Sequence, residues 1–447
     1  MSKLNFVLTD FTEIQKDFNE LFPNPEVHEV GAFGFLKLAQ HAHAYSKIQA
    51  LNKRGDFPFH ALQFRFKQIL KNCTREKLIG KYELQDEVLL LPKRVDNILG
   101  SRDSILVRTL LESELKHVQT IDIHQNFPFS NIQLYPHKPW ALRFGKQVIQ
   151  MHHALCQWLR KIERTVDTSD FSYYSAAAAT FLHEFMFWNT VISGSGLKKL
   201  YLVTHYHQEG LIAAARLAGA EIIEFQHGLV SKHDLYYLYE LKYAEVYKKS
   251  FFPNEFWVFG RFWANKFLGS ADETFMNIKI KGDFRWRNKN KNQEEKRNVI
   301  LVSTQKNMFH LYAKLIKRLD ELLKNYANWI CEVKLHPLEN DVDSYFQLEH
   351  SEKVKILPID SDIHEVLSYS RIQLSIYSTT FYDALGHNVC NYAWVDSGVS
   401  SDYVTEVIEE GIAHAFKFND DIIQNSLVSA HEMKVNKNEV FQDYIQV

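Results

Sequence analysis

Residues 221–237 read EIIEFQHGLVSKHDLYY. An apolar pair, Ile222 and Ile223, leads within a few residues to Glu224, Gln226, His227, Gly228, Ser231, Lys232, His233 and Asp234. A short hydrophobic strand that ends abruptly in polar, titratable residues is how open α/β sheets present ligand-binding groups at strand C-termini. Gly228 lets the backbone turn and lets a ligand approach it. His227, beside that turn, has the chemistry of a general base near neutral pH. The plainer reading is a turn histidine satisfied by backbone groups.

Outward from this stretch the same pattern repeats. Upstream, residues 199–204 (KLYLVT) predict a strand, 205–210 (HYHQEG) a polar turn and 211–217 (LIAAARL) a helix closed by Gly219. With residues 221–225 this makes a β-α-β unit, whose parallel crossover is right-handed. Downstream, 253–262 (PNEFWVFGRF) and 278–282 are strand-like. Residues 288–298, NKNKNQEEKRN, are the most polar run and predict an exposed linker. After it, strands are expected at 299–303, 329–335, 354–357, 372–376 and 389–393, with helices at 311–326, 363–368 and 380–385. Alternation on both sides of a polar joint implies an α/β protein of two Rossmann-like domains facing a cleft. The boundaries expected are 1–287 for the first domain, Rossmann-like from about 197, then 288–298 as linker and 299–447 as the second domain.

Before residue 197 the chain reads as largely helical, broken at Phe22-Pro23-Asn24-Pro25. Residues 38–51 and 59–70 have helical spacing, and 173–192 predicts a buried helix. Leu62, Phe66, Ile69 and Leu70, flanked by Arg65, Lys67 and Lys71, fit a core-facing helix or contact with a membrane surface. Residues 87–91 (EVLLL) read as a buried strand.

Composition narrows the class. With 52 basic and 54 acidic side chains the formal charge is −2, so no global electrostatic case exists for nucleic-acid binding. The 46% hydrophobic content supports a sizeable core. Four scattered cysteines, Cys73, Cys156, Cys331 and Cys390, form no CxxC pair, which argues against a cysteine-rich zinc site and suits a reducing compartment. Charge precedes any apolar run at the N-terminus, and no run is long enough for a spanning helix. A cytoplasmic protein is expected, with peripheral contact at the inner membrane face left open.

Two further strand ends carry chemistry. Residues 332–339 (EVKLHPLE) bring His336 to the end of a strand, with Pro337 fixing the backbone and Lys334 two residues earlier on the same face. Such a histidine binds a phosphate or protonates a leaving group, or it is a His-Pro turn with no ligand. Residues 374–385 (LSIYSTTFYDAL) end a strand in Tyr377-Ser378-Thr379-Thr380 and start a helix at once. Hydroxyls and free N–H groups there form an anion site, or Ser378 or Thr379 simply caps the helix. His205 and His207, with His227 and His233, lack a firm carboxylate partner for a metal; the turn lines an acceptor pocket or is solvated.

The set QHG, KLHP and YST-x-x-YDAL resembles bacterial surface-polysaccharide glycosyltransferases of GT-B architecture, of the capsule and lipopolysaccharide kind. It is also similar to CDP-glycerol glycerophosphotransferases and to HP-motif sialyl and Kdo transferases. The resemblance spans about residues 197–393. It implies that His336 contacts the donor phosphates, that Ser378, Thr379 and Thr380 with Lys334 hold them, and that Asp383 orients the helix or nucleotide. It implies His227 as the base that deprotonates the acceptor, with Glu224 as an alternative. His205, Gln226, Gly228 and His233 would then line the acceptor side. The sialyltransferase pattern puts an acidic D/E-D/E-G triplet in the first domain, and none is found in that part of the chain. The function implied is a metal-independent transferase without a cofactor, moving a sugar from a nucleotide donor, first a CMP-linked acidic sugar, to a glycan or glycolipid. The alternatives are a CDP-glycerol-type phosphotransferase, a non-catalytic nucleotide-sugar-binding assembly protein, or an epimerase of the same architecture.

Overall fold

A computed structural model describes residues 84–91, short pieces between 96 and 133, then 184–206, 208–231, 237–238, 252–282, 295–429 and 440–441, apart from 186, 338, 350, 400 and 401. The expected helices at 38–51 and 59–70, the polar run 288–294, His207 and His233 lie outside the described residues.

The first sheet contains β1 (Glu87–Leu90), β4 (Gln119–Asp122), β5 (Ile132–Gln133), β6 (Lys199–Leu202), β7 (Glu221–Phe225), β8 (Glu255–Val258) and β9 (Asn277–Ile280). They lie in the order β5-β4-β1-β6-β7-β8-β9, and every pairing is parallel. A separate antiparallel pair, β2 (Asp96–Ile98) and β3 (Ser101–Asp103), follows β1. The second sheet contains β10 (Val299–Ser303), β11 (Ile330–Lys334), β12 (Val354–Ile356), β13 (Ile372–Ser375), β14 (Cys390–Trp394) and β15 (His414–Phe416). Its order is β12-β11-β10-β13-β14-β15, again all parallel. Two parallel-sheet α/β units are therefore the architecture. The first sheet takes in strands upstream of residue 197, where the Rossmann-like part was expected to begin, because β1 pairs with β6, β4 with β1 and β5 with β4.

Parallel strands need both faces covered, and the sequence of β10 meets that need with five consecutive buried residues, VILVS. Ile300 and Val302 face one core with Tyr312, Leu315, Ile316 and Leu319 of α4 (Phe309–Leu323). Leu301 faces the other with Val366 and Leu367 of α6 (Ile363–Tyr369) and Ala384 of α7 (Thr380–Gly386). In the first sheet Leu200, Leu202 and Ile222 pack against Leu211, Ile212, Ala214 and Ala215 of α1 (Glu209–Leu217). Tyr201, Ile223, Phe225 and Trp257 fill the opposite face. Other helices among the described residues are α2 (Arg261–Lys266), α3 (Asp272–Phe275), α5 (Val342–Phe346), α8 (Asp402–Glu409) and α9 (Ile422–Ser429). The units touch where Trp263 of α2 packs on Tyr382 of α7, ring centroids 4.8 Å apart, and where its indole N–H donates to the Val440 carbonyl at 3.1 Å. Among the described residues no helix is long and apolar enough to cross a membrane.

Both sheets reverse their strand order, the first between β1 and β6 and the second between β10 and β13. In open α/β sheets the crevice outside the strand C-termini at such a reversal is where ligands bind. The topology thus singles out the residues that follow β6 and those that follow β10 and β13.

A close approach supports the first of these. A Cβ on Gly210 would lie 2.5 Å from the Glu184 Cβ and 2.6 Å from the Phe185 nitrogen, so the helical residues 184–192 press onto α1 at a position only glycine allows. Glu184 accepts from the Gly210 N–H, and burial, then the neighbouring Glu209, push its carboxyl well above the usual range. Its folded pKa thus exceeds its unfolded one. Stability from this group is fully present below the ordinary value of 4.5 and is lost as pH rises towards the folded value. Glu184→Gln is expected to flatten that fall, so that the variant gains on the parent as pH rises above the ordinary carboxylate value of 4.5 in urea unfolding. Parallel curves would contradict the assignment.

Candidate active site

β7 is five residues of alternating face, and its last inward carboxylate is Glu224, fully buried. A carboxylate without water needs donors from the protein. Three converge on it. The His205 backbone N–H donates to Oε1 at 3.1 Å, His205 Nδ1 lies 2.7 Å from Oε2, and the Tyr237 hydroxyl donates to Oε1 at 2.6 Å. The acceptor character of a carboxylate places the His205 proton on Nδ1. His205 is itself fully buried, edge-on to Tyr237 with ring centroids 5.1 Å apart. Gln226 is buried too: its amide donates to the Gly228 carbonyl at 2.8 Å and accepts from the Phe259 N–H at 2.9 Å, stitching the loops after β7 and β8 together.

His227 is placed differently. It is half-buried beyond the strand end, with Nδ1 enclosed and Nε2 3.1 Å from the Tyr206 hydroxyl. Tyr206 comes from the loop after β6, which the His205–Glu224 contact pins. Gly228 has no left-handed φ, and a Cβ there would meet nothing within 4 Å, so neither conformation nor protein packing calls for glycine at this point. The space above its backbone is open.

In the second sheet the loops after β10, β11 and β13 meet. The His336 N–H donates to Thr304 Oγ1 at 2.9 Å and the Thr304 N–H to the Lys334 carbonyl at 3.0 Å, so the half-buried His336 is held beside the end of β10. Ser375 Oγ donates to the Ser303 carbonyl at 2.7 Å and lies 3.2 Å from the Tyr312 hydroxyl, which accepts from the Ile376 N–H at 3.3 Å. Gln373 donates to Ser303 Oγ at 3.0 Å and also to Thr380 Oγ1. Ser378 Oγ accepts from the Thr380 N–H at 3.2 Å and lies 2.8 Å from Thr380 Oγ1, one residue before the N-cap Thr379, whose own side chain caps nothing. Thr379 is exposed at the tip of the loop, and Asp383 is half-buried on α7.

The structure therefore separates residues that the sequence grouped. Glu224, His205 and Gln226, expected as base or acceptor contacts, are buried parts of the loop framework: the carboxylate is met by His205 and Tyr237, and the Gln226 amide by Gly228 and Phe259. Lys334, expected at the phosphate, turns its ammonium to the Leu335 and Ile359 carbonyls, both at 2.8 Å. Burial lowers its pKa, with Asp360 and Asp362 opposing. His227 with Tyr206 in one unit, and His336 and Thr379 in the other, remain at the strand ends with exposure, while Ser378 is buried beside them. Tyr206, Tyr237, Ser303, Thr304 and Gln373 were not singled out by the sequence; Tyr206 carried one signal, its place between two histidines at a strand end.

Removing a hydrogen-bonding partner from a buried charge costs about 1–3 kcal/mol or more. His205→Ala is expected to lose stability of that order in chemical unfolding, far more than a surface histidine substitution. A loss below about 1 kcal/mol would show that Glu224 does not depend on this ring.

No protein-family model matches the chain, and no curated protein matches it. Solved structures are similar at low identity. The UDP-GlcNAc 2-epimerase from Methanocaldococcus jannaschii has a TM-score of 0.44 and 11% identity, covering 80% of this chain and 94% of that one. The UDP-GlcNAc 2-epimerase from Neisseria meningitidis bound to UDP-GlcNAc has 0.43 and 12%, covering 76% and 90%. A glycosyltransferase from Rickettsia africae has 0.40 and 12%, covering 78% and 88%. At these values nothing about the chemistry of this chain follows from them.

Proposed function

We propose that the chain is a glycosyltransferase that uses a nucleotide-linked sugar. The observation that carries the reading is topological: the Ser378–Thr379 loop follows β13 at the reversal of strand order in the second sheet, and His336, after the neighbouring β11, is held by Thr304 beside the end of β10, at the kind of crevice where open α/β sheets bind ligands. His336 would carry the charge of the departing phosphate, and Thr379 with the loop N–H groups would hydrogen-bond it. In the first unit His227 would serve as base. Its Nδ1 is enclosed, so the proton enters at Nε2, where the Tyr206 hydroxyl stands. The acceptor hydroxyl would pass its proton to the Tyr206 oxygen while that phenol passes its own to His227. The acceptor oxygen bonds to the anomeric carbon as the bond from that carbon to the phosphate oxygen breaks. The open space over Gly228 gives the acceptor room to approach. The donor proposed first is a CMP-linked acidic sugar such as Kdo or a nonulosonic acid, with a CDP-glycerol-type donor second. The acceptor would be a surface glycan or glycolipid of capsule or lipopolysaccharide synthesis.

A ligand that binds only the folded state raises its apparent stability, by about 2.7 kcal/mol at a hundredfold excess over Kd. Thermal unfolding with CMP, CDP, UDP, GDP and ADP, with and without magnesium, is expected to show selective stabilisation by a cytidine nucleotide that His336→Ala loses. His227→Ala should keep that stabilisation and lose about 10²–10⁴-fold in transfer. Transfer at the parent rate in His227→Ala would remove the base, and stabilisation by UDP alone would overturn the donor.

A further inference from the structure

Helix α8 touches both candidate loops. From its first turn the Tyr403 hydroxyl donates to the Ser378 carbonyl at 3.1 Å, in the loop after β13. One turn later the Glu406 carboxylate accepts from Ser231 Oγ, four residues beyond His227 in the loop after β7. Glu406 also receives Lys266 Nζ of α2 at 2.9 Å, and Glu410 receives the same ammonium at 2.8 Å. The Tyr382 hydroxyl of α7 donates to Glu410 at 3.3 Å. The Glu406 side chain is 1% exposed and that of Lys266 10%.

A buried ion pair is a poor adhesive, because desolvation takes back most of its Coulomb energy and an apolar contact holds at least as well. Its strength is that it fixes one register, since any slip leaves a charge unmet. Here the charges sit where the two units meet, and one short helix carries the ties to both sides. We infer that α8 sets the spacing between the His227 loop and the Ser378 loop, with Glu406 as the positioning residue that registers the helix on the first unit. Glu406 touches no reacting atom. The inference rests on the transferase reading for its consequence in catalysis, and on geometry alone for the coupling.

The test uses amide hydrogen exchange of the full chain without nucleotide. Tyr403→Phe removes only the tie to Ser378, so a local role confines any change to residues 376–380. Coupling through α8 predicts that exchange also rises, about threefold or more, at residues 226–231 on the far side of the interface. Lys266→Met, made at the other end, is expected to raise exchange at 376–380. Changes confined to the near loop in both variants would overturn the inference. In a transfer assay the coupling further predicts that Lys266→Met lowers kcat about tenfold or more while nucleotide stabilisation is unchanged. A Lys266→Met protein with parent kcat would overturn the catalytic consequence. If the parent protein binds no nucleotide, the transferase reading fails while the exchange result still decides the coupling.

Discussion

A charge taken out of water must be met inside the protein, and the loops of this molecule are arranged around three such charges. Glu224 gathers His205 and Tyr237 and so fixes the turn that presents Tyr206 to His227. Lys334 is met by two carbonyls, one of them from the loop after β12, and so closes the strand end that carries His336. Glu406 meets Lys266 and Ser231 from the other unit. In each case the group that chemistry would use sits one or two residues from the group that is buried, or is held through it. The desolvated charge supplies rigidity, and the half-exposed neighbour keeps its reactivity.

The two sheets divide the labour that the proposed reaction requires. The second offers a hydroxyl-rich framework, Ser303, Thr304, Tyr312, Gln373, Ser375 and Thr380, in which one hydrogen bond supports the next. A loop held this way loses little further entropy when it binds an anion. The first offers a histidine and a phenol over a glycine with free space above it. Neither half completes a transfer alone, so the distance between them matters as much as either.

Much of the fold is legible in the sequence where an element is long in one kind of residue. EIIEF and VILVS fall on their strands to the residue, VILVS because a strand buried on both faces reads as a near-continuous apolar run and EIIEF because its isoleucine pair stands between turn signals. The alternation after residue 299 gives β10 to β14 and α4, α6 and α7 within one to three residues at each end. β4 and β5 were not legible: QTID and IQ are too short and too polar to stand out, and only the neighbouring strand β1 explains their place. That is why the parallel sheet of the first unit was expected only from about residue 197, although residues 87–91 read as a strand. Of the site, the strand-end histidines and the Ser378 loop were visible as motifs. The inward turn of Lys334 was not, because a lysine two residues before a histidine carries no sign of whether its ammonium meets a ligand or a backbone carbonyl. Lys266 and Glu406 are 140 residues apart, and nothing local marks either.

The edges of the sheets have a consequence of their own. β12, three residues long, ends one side of the second sheet with Lys355 turned outward, and β9 ends the first with Lys279 on the strand and Lys281 just beyond it. An open strand is a template for any other strand that comes near. Lys279 is tied to Glu255 of β8 and Lys281 lies over Trp257, so the β9 edge carries charge already bound to its own sheet, and the exposed Lys355 marks the β12 edge. A second copy adding a strand at either edge would have to desolvate these ammonium groups.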